Sequence, residues 1–401
     1  MRDELRDVVA AVRTALHGGA PYAPHPLSAG PPPPDGTALV VRTSGSTGTP
    51  RQVTLSAAAL RASASATHER LGGPGRWFLA LPATHVAGLQ VISRSVIAGT
   101  SVGGGTDGPF TPDGFAATAG TFLSDDAGSR AYVSLVPTQA HRLVEAADGG
   151  APAGLDTLAR FDAVLLGGAA TPDALRVRLH DAGVRAVTTY GMSETCGGCV
   201  YDGVPLAGVR VRLAQDRAGR TGAPGIVELS GPVLADGYLG NRSATAAAFR
   251  TDPDDTRWFR TSDLGALDPQ GRLTVLGRAD DVIVTGGVNV APAAVEAALA
   301  ELGEVCVVGV PDREWGRSVT AVLTHPAGRP LDLDPSLPPR LEPAPAEVTD
   351  RVRQLVTERL GRAAVPRQVF LTDAIPLRGP GKPDRAAVEA AVADARSRTA
   401  P

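Results

Sequence analysis

A chain of 401 residues with a formal net charge of −3 and a pI near 6.2 offers no basic surface for nucleic acid, and it carries no recognisable RNA- or DNA-binding motif. Its length suggests two domains of unequal size rather than one core. The charged start Met1-Arg2-Asp3-Glu4-Leu5-Arg6-Asp7 lacks a signal-peptide core, and the apolar stretch Val91–Ile97 is broken by Arg94 and too short to span a bilayer. Three cysteines make no disulfide framework, so a cytoplasmic protein in a reducing compartment, without a membrane partner, is expected.

In chain order, Leu5, Val8, Val9, Val12 and Leu16 recur at helical spacing and predict an opening helix. A proline- and glycine-rich loop fills Gly18 to Gly36, and Ala38–Val41 reads as a strand. Val53–Leu55 reads as the next strand, followed by an alanine-rich helix capped by Ser56 and running to about His68. Trp77–Leu81 has a buried-strand pattern, then a turn is expected over Ala83 to Gly88. Strand and helix alternate over Tyr132–Val136 and Thr138–Ala147, then over Ala163–Leu166 and Pro172–Ala182, which argues for α/β layers on a largely parallel sheet. Gly225–Leu229, Leu234–Leu239 and Leu273–Leu276 suggest a β-rich region closing this large domain. After Gly277-Arg278-Ala279-Asp280-Asp281 a small α+β domain is expected: Val282–Val284, a helix over Ala291–Ala300, strands Val305–Val310 and Val319–Leu323, a proline-rich loop from His325 to Pro345, and a helix near Val348–Leu360. The expected domains are 1–279 and a mobile 280–401.

Between the first two strands lies Thr43-Ser44-Gly45-Ser46-Thr47-Gly48-Thr49-Pro50-Arg51. Pro50 stops a helix from starting there, which separates this loop from a Walker loop. Its glycines let backbone N–H groups turn inward, its hydroxyls add donors, and Arg51 adds a fixed positive charge, a cradle suited to a polyphosphate. Alone, the segment fits a polar surface turn equally well.

The loop resembles the phosphate-binding signature of the adenylate-forming superfamily, and further motifs of that family follow in order from Ala38 to Arg385. Arg51-Gln52 stands where the family usually has Lys-Gly, and the segment before the loop is unusually short. Thr189-Tyr190-Gly191-Met192-Ser193-Glu194-Thr195 resembles Tyr-Gly-x-Thr-Glu. The resemblance implies that Tyr190, with Gly191 and Met192, lies against adenine, that Ser193 bonds the α-phosphate, and that Glu194 holds Mg²⁺, a fit for a hard carboxylate oxygen. Leu165-Leu166-Gly167-Gly168-Ala169-Ala170 is implied as the adenine wall, through Gly168 and Ala169. Thr261-Ser262-Asp263-Leu264-Gly265 resembles Thr-Gly-Asp-Leu-Gly, which assigns the ribose hydroxyls to Asp263. Arg278 is then the implied ribose or phosphate contact, and Asp280 the hinge. Pro380-Gly381-Lys382-Pro383-Asp384-Arg385 resembles Gly-Lys-x-x-Arg, with Lys382 bridging carboxylate and phosphate.

His85-Val86-Ala87-Gly88-Leu89 is similar to the His-x-x-Gly-Leu stretch of the o-succinylbenzoate–CoA ligases, in their compact form. It implies an acyl pocket of His85, Val86, Gly88 and Leu89, with His85 near the reacting carboxylate. Cys196-Gly197-Gly198-Cys199 has no second pair to make a zinc site and is expected to be pocket wall.

The resemblance implies a ligase that uses ATP, Mg²⁺ and coenzyme A with a small carboxylic acid, catalysed by Lys382, Glu194, His85 and Arg278. Two rivals stay open: an adenylation enzyme loading a carrier protein, and a nucleotide-binding relic. Assembly as a homodimer is also open.

Overall fold

A computed structural model of the chain describes residues 3–43, 50–105, 108–126, 128–214, 224–325, 339–377 and 383–399. Packing divides it into two compact units: Met1–Gly222, Val227–Thr261 and Leu267–Thr274 form the first, and Ala223–Ile226, Ser262–Ala266 and Val275–Pro401 the second.

The centre of the first unit is a seven-stranded sheet in the order Val102–Gly104, Arg76–Leu79, Ala131–Leu135, Ala163–Leu166, Ala186–Met192, Gly197–Tyr201, Val204–Pro205. The first five strands run parallel and the last two reverse. Strand side chains alternate between faces, and here each face has its own core. Trp77, Leu79, Tyr132, Leu165 and Val187 join one with the helices Asp3–Leu16, Ala57–Leu71 and Val86–Ala98. Phe78, Val133, Leu135, Val164 and Leu166 join the other with Pro112–Ser124, Pro137–Asp148, Ala153–Ala159 and Asp173–Asp181. Burial on both faces explains why these strands read as continuous apolar runs. Truncating the fully buried Trp77 to alanine would cost about 3–5 kcal/mol.

Two smaller sheets continue the chain. Thr37–Arg42, Gln52–Ser56 and Gly237–Tyr238 form one. The other has the order Arg210–Ala214, Gly225–Ser230, Arg257–Leu267, Phe249–Thr251, with Leu273–Arg278 paired to Arg257–Leu267. Only Gly237–Tyr238 of the expected Leu234–Leu239 strand is extended.

In the second unit, strands run in the order Val288–Val290, Ile283–Thr285, Gly316–Thr324, Gln368–Thr372, Glu342–Pro343, and Val305–Asp312 pairs with Gly316–Thr324. One face packs on Pro292–Leu299 and Ala346–Leu360, and the other on Arg385–Thr399. Residues 326–338 of the proline-rich loop lie outside the described residues. The whole is a mixed α/β fold, and among the described residues no helix is long and apolar enough to cross a membrane.

Ser56 caps its helix as expected, accepting from the Ala59 N–H at 3.2 Å, and that helix continues past His68 to Leu71. Two helices depart from the sequence reading. The expected turn through Gly88 is instead the start of Val86–Ala98, which is buried all round from Gly88 to Ser95. Pro112–Ser124 was not expected, although Thr111 caps it through the Gly114 N–H at 3.2 Å and Pro112 stands where its missing N–H costs nothing.

Candidate active site

The hydroxyl-rich segment joins two antiparallel strands in register, with Arg42 opposite Gln52 and Val41 opposite Val53. Its base is closed twice: the Thr43 N–H donates to the Arg51 carbonyl at 2.8 Å, and the Arg51 N–H donates to Thr43 Oγ1 at 3.2 Å. Ser44, Gly45, Ser46, Thr47 and Gly48 lie outside the described residues. Gln52 donates to the Pro26 carbonyl and accepts from the Ser28 N–H, both at 2.8 Å, which pins the proline-rich loop beside the hairpin. A recess of about 320 Å³ opens there, lined by Ser28, Pro50, Arg51, Gln52, Tyr238, Leu239 and Asn241.

His85, Gly168 with Ala169, and Tyr190 through Glu194 all follow or end parallel strands of the large sheet, so topology gathers them at its carboxyl edge. In open α/β sheets that edge is where ligands bind. Gly168 and Ala169 are exposed there, while Tyr190, Met192, Ser193 and Glu194 are half-buried. A bulge separates Tyr190 from Gly191, and a Cβ on Gly191 would overlap the Gly197 carbonyl, so glycine is what lets the two strands close.

Beyond Gly191 the chain tightens into the 3₁₀ turn Ser193–Thr195, and Cys196 takes a left-handed conformation (φ +52°). Thr195 Oγ1 accepts from the Met192 N–H at 3.0 Å and lies 2.8 Å from the Gly197 carbonyl. The Cys196 carbonyl accepts from the side-chain amide of Gln90 and, at 3.3 Å, from the Ser63 hydroxyl. The Glu194 carbonyl accepts from the Ala235 N–H at 2.9 Å. Its carboxylate Oε1 accepts from the Tyr238 hydroxyl at 2.9 Å, and the Arg51 guanidinium sits 5.0 Å from the centre of the Tyr238 ring. Burial first, and then Glu194, push the Tyr238 phenol above its ordinary range, so it stays protonated and donating.

Of the expected acyl wall, His85 and Val86 are half-buried at the start of their helix. Gly88 and Leu89 correct the expectation. A Cβ on Gly88 would overlap the Pro82 carbonyl, so this residue allows the helix to sit on the preceding turn. Leu89 has no exposed surface and belongs to the core. Cys196 and Cys199 are likewise core residues rather than pocket wall, with thiols pushed up by burial, Cys199 to about 12. Among the described residues no three His, Cys, Asp or Glu side chains gather as a metal cage.

Further along the same helix, Arg94 is buried, lies 4.9 Å from the centre of the Trp77 ring, and donates to the Tyr201 hydroxyl at 3.3 Å. No ion pair joins it to a carboxylate among the described residues. Beside it, His68 Nε2 accepts from Trp77 Nε1–H at 3.1 Å, and burial, followed by the Arg94 charge, pushes His68 down to about 4.

In the second unit, Asp263 lies on the strand Arg257–Leu267 with Oδ1 4.0 Å from Arg278 Nη1. Arg278 makes a bidentate pair with Asp280 at 2.8 and 2.7 Å. Arg385 pairs with both oxygens of Glu296, reaches the Val307 carbonyl at 2.8 Å, and lies 3.2 Å from Asp281. It therefore anchors the last helix within its own unit. Leu377 bridges to Pro383, and Lys382 lies outside the described residues.

The sequence matches the family described as "AMP-binding enzyme" over residues 4–239 and "AMP-binding enzyme C-terminal domain" over residues 294–382. The chain belongs to the AMP-binding enzyme family. A probable 2-succinylbenzoate–CoA ligase of Mycobacterium tuberculosis is 42% identical over 364 residues, covering 88% of this chain and 84% of the relative. A medium/long-chain-fatty-acid–CoA ligase of the same organism is 30% identical, over 92% of this chain and 64% of that protein. Among solved structures, the o-succinylbenzoate CoA synthetase of Bacillus subtilis in complex with its acyl-adenylate intermediate is similar with a TM-score of 0.69 at 27% identity, covering 88% of this chain and 69% of that one.

Within this AMP-binding enzyme, sequence reasoning missed Tyr238, Gln90 and Gln52. Tyr238 reaches Glu194 only because Tyr238 pairs with Val53 in the small sheet, a long-range relation without local signal. Gln90 stands two residues beyond the expected turn as a polar residue in an otherwise apolar run, and that is its one local signal.

Proposed function

We infer that the chain is an ATP-dependent, AMP-forming acid–CoA ligase acting on 2-succinylbenzoate. The observation that carries this is the 42% identity to a ligase named for that acid, sustained across most of both chains. The substrate's aliphatic carboxylate attacks the α-phosphorus of ATP, giving an acyl-adenylate and pyrophosphate. The thiol of coenzyme A then displaces AMP to give the thioester.

The donor set suits a magnesium nucleotide, since Mg²⁺ is commonly held by one or two carboxylates together with substrate phosphates, and Glu194 is the carboxylate at the carboxyl edge of the sheet. When bound, the ion neutralises charge developing on the phosphate oxygens. In this reading Thr43 and Arg51 hold phosphate at the hairpin, Ser193 bonds the α-phosphate, Tyr190 with Gly168 and Ala169 flanks adenine, and Asp263 takes the ribose hydroxyls. Lys382 bridges the carboxylate and phosphate in the first step, and Asp280 is the hinge that lets the second step follow. His85 and Val86 stand nearest the acid.

2-Succinylbenzoate carries a second carboxylate that does not react, and burying it unpaired costs several kcal/mol. Its partner in this reading is a cation or a cluster of donors at the carboxyl edge of the sheet, within reach of His85. Free thiols at all three cysteines and the use of ATP fit a cytoplasmic setting.

The test is mass spectrometry of products from the acid, ATP and coenzyme A. Acyl-adenylate, AMP and the coenzyme A thioester are expected. An adenylate that passes only to a holo-carrier protein, or no adenylate at all, would overturn the reading.

A further inference from the structure

The segment 235–239 holds Glu194 at two points. The Ala235 N–H donates to its backbone carbonyl at 2.9 Å and the Tyr238 hydroxyl to its carboxylate at 2.9 Å. The segment is itself fixed to the hydroxyl-bearing hairpin. The Asp236 N–H donates to the Thr54 carbonyl at 2.9 Å, and the Leu239 N–H to the Gln52 carbonyl at 2.8 Å. Tyr238 is buried, its N–H donates to Thr245 Oγ1 at 2.9 Å, and its ring meets the edge of Phe249 at 6.0 Å. Both the ring position and the hydroxyl direction are therefore set by packing. Over that ring lies the Arg51 guanidinium, at 5.0 Å.

We propose that Tyr238 is a positioning residue: its hydroxyl fixes the rotation of the Glu194 carboxylate while its ring seats Arg51, so one side chain registers the cation-binding acid against the phosphate-facing arginine. This rests on the reading of Glu194 as a magnesium ligand. Ligating carboxylates are commonly hydrogen-bonded by a second layer of residues, and losing such a partner typically weakens metal binding 10–100-fold. A carboxylate free to rotate samples orientations that do not serve the ion, and the held one does not.

The experiment uses Mn²⁺ as a paramagnetic probe, titrated into the full chain with ATP and read by electron spin resonance. Tyr238→Phe keeps the ring and its contact with Phe249 and removes only the hydroxyl, and thermal unfolding verifies the fold. The expected result is a loss of Mn²⁺ affinity of about 10–100-fold. Glu194→Gln should lose at least as much, and the double variant little more than Glu194→Gln alone, because Tyr238 acts through that carboxylate. If Glu194→Gln weakens Mn²⁺ binding while Tyr238→Phe does not, or if the two losses add, the positioning role of Tyr238 is overturned. If Glu194→Gln leaves Mn²⁺ affinity unchanged, the magnesium reading of Glu194 fails, and this inference with it.

Discussion

The side-chain amide of Gln90 donates to the backbone carbonyl of Cys196, joining the helix Val86–Ala98 to the left-handed turn that follows Glu194. A non-glycine residue at positive φ persists only when its surroundings hold it, and here Gln90, Ser63 and Thr195 do so. Gln90→Leu removes one of the two side-chain donors to that carbonyl and leaves Ser63. Stability should fall by only about 1 kcal/mol. Adenylate formation should fall further, by about 10–100-fold, because misplacing a group near the reacting atoms by about 1 Å costs on the order of 10². Thermal unfolding and single-turnover pyrophosphate release check this pair of effects, and an unchanged adenylation rate would detach Gln90 from the site.

The candidate site was legible in sequence where its residues are neighbours along the chain. Tyr190 to Glu194 form one strand end and turn, and the hydroxyl loop is one hairpin connection. Tyr238 was not legible, because its bond to Glu194 spans 44 positions and depends on pairing with Val53. Arg94 was read as a charge interrupting an apolar run, whereas it lies buried over Trp77 in a continuous helix. Gly88 and Leu89 matched a family stretch correctly in residue type but serve packing, since a pattern of small and apolar residues does not tell a pocket wall from a core.

His68 makes acid stability measurable. Its ordinary value of 6.5 is lowered to about 4 in the folded chain by burial and then by Arg94. Between those values the unfolded chain binds a proton that the folded chain refuses. The stabilisation is therefore complete above about 6.5 and is lost as pH falls toward 4. His68→Gln should flatten the slope of unfolding free energy against pH in that window. The same slope in variant and parent would mean His68 is protonated normally in the fold.

Arg94→Met replaces a buried charge by an apolar chain of similar length, a change that buried sites often tolerate. Stability should hold or rise, by about 1–4 kcal/mol. The ratio of kcat/KM for 2-succinylbenzoate to that for 4-phenylbutyrate should not change, because Arg94 packs on Trp77 and bonds Tyr201 within the core. A loss confined to the dicarboxylate would instead put Arg94 at the substrate.

Lys382→Ala should slow the first half-reaction by about 10²–10³-fold, the usual cost of removing one donor from developing charge. Thioester formation from supplied acyl-adenylate should be nearly normal. Asp280→Pro should show the converse pattern, because fixing φ at the hinge obstructs the rotation required for the second step. Rapid-quench measurement of each half-reaction separates the two, and identical patterns for both variants would refute the division of labour between lysine and hinge.

The most direct test is the ratio of kcat/KM for 2-succinylbenzoate to that for 4-phenylbutyrate in the unaltered enzyme, measured with benzoate and a medium-chain fatty acid alongside. A site that pairs the second carboxylate leaves its own buried cation unsatisfied when the analogue lacks that group, and such sites discriminate by on the order of 10⁴ or more. The predicted result is a preference of that order for the dicarboxylate. Comparable turnover of the monoacids would contradict the substrate assignment while leaving adenylate-forming chemistry in place.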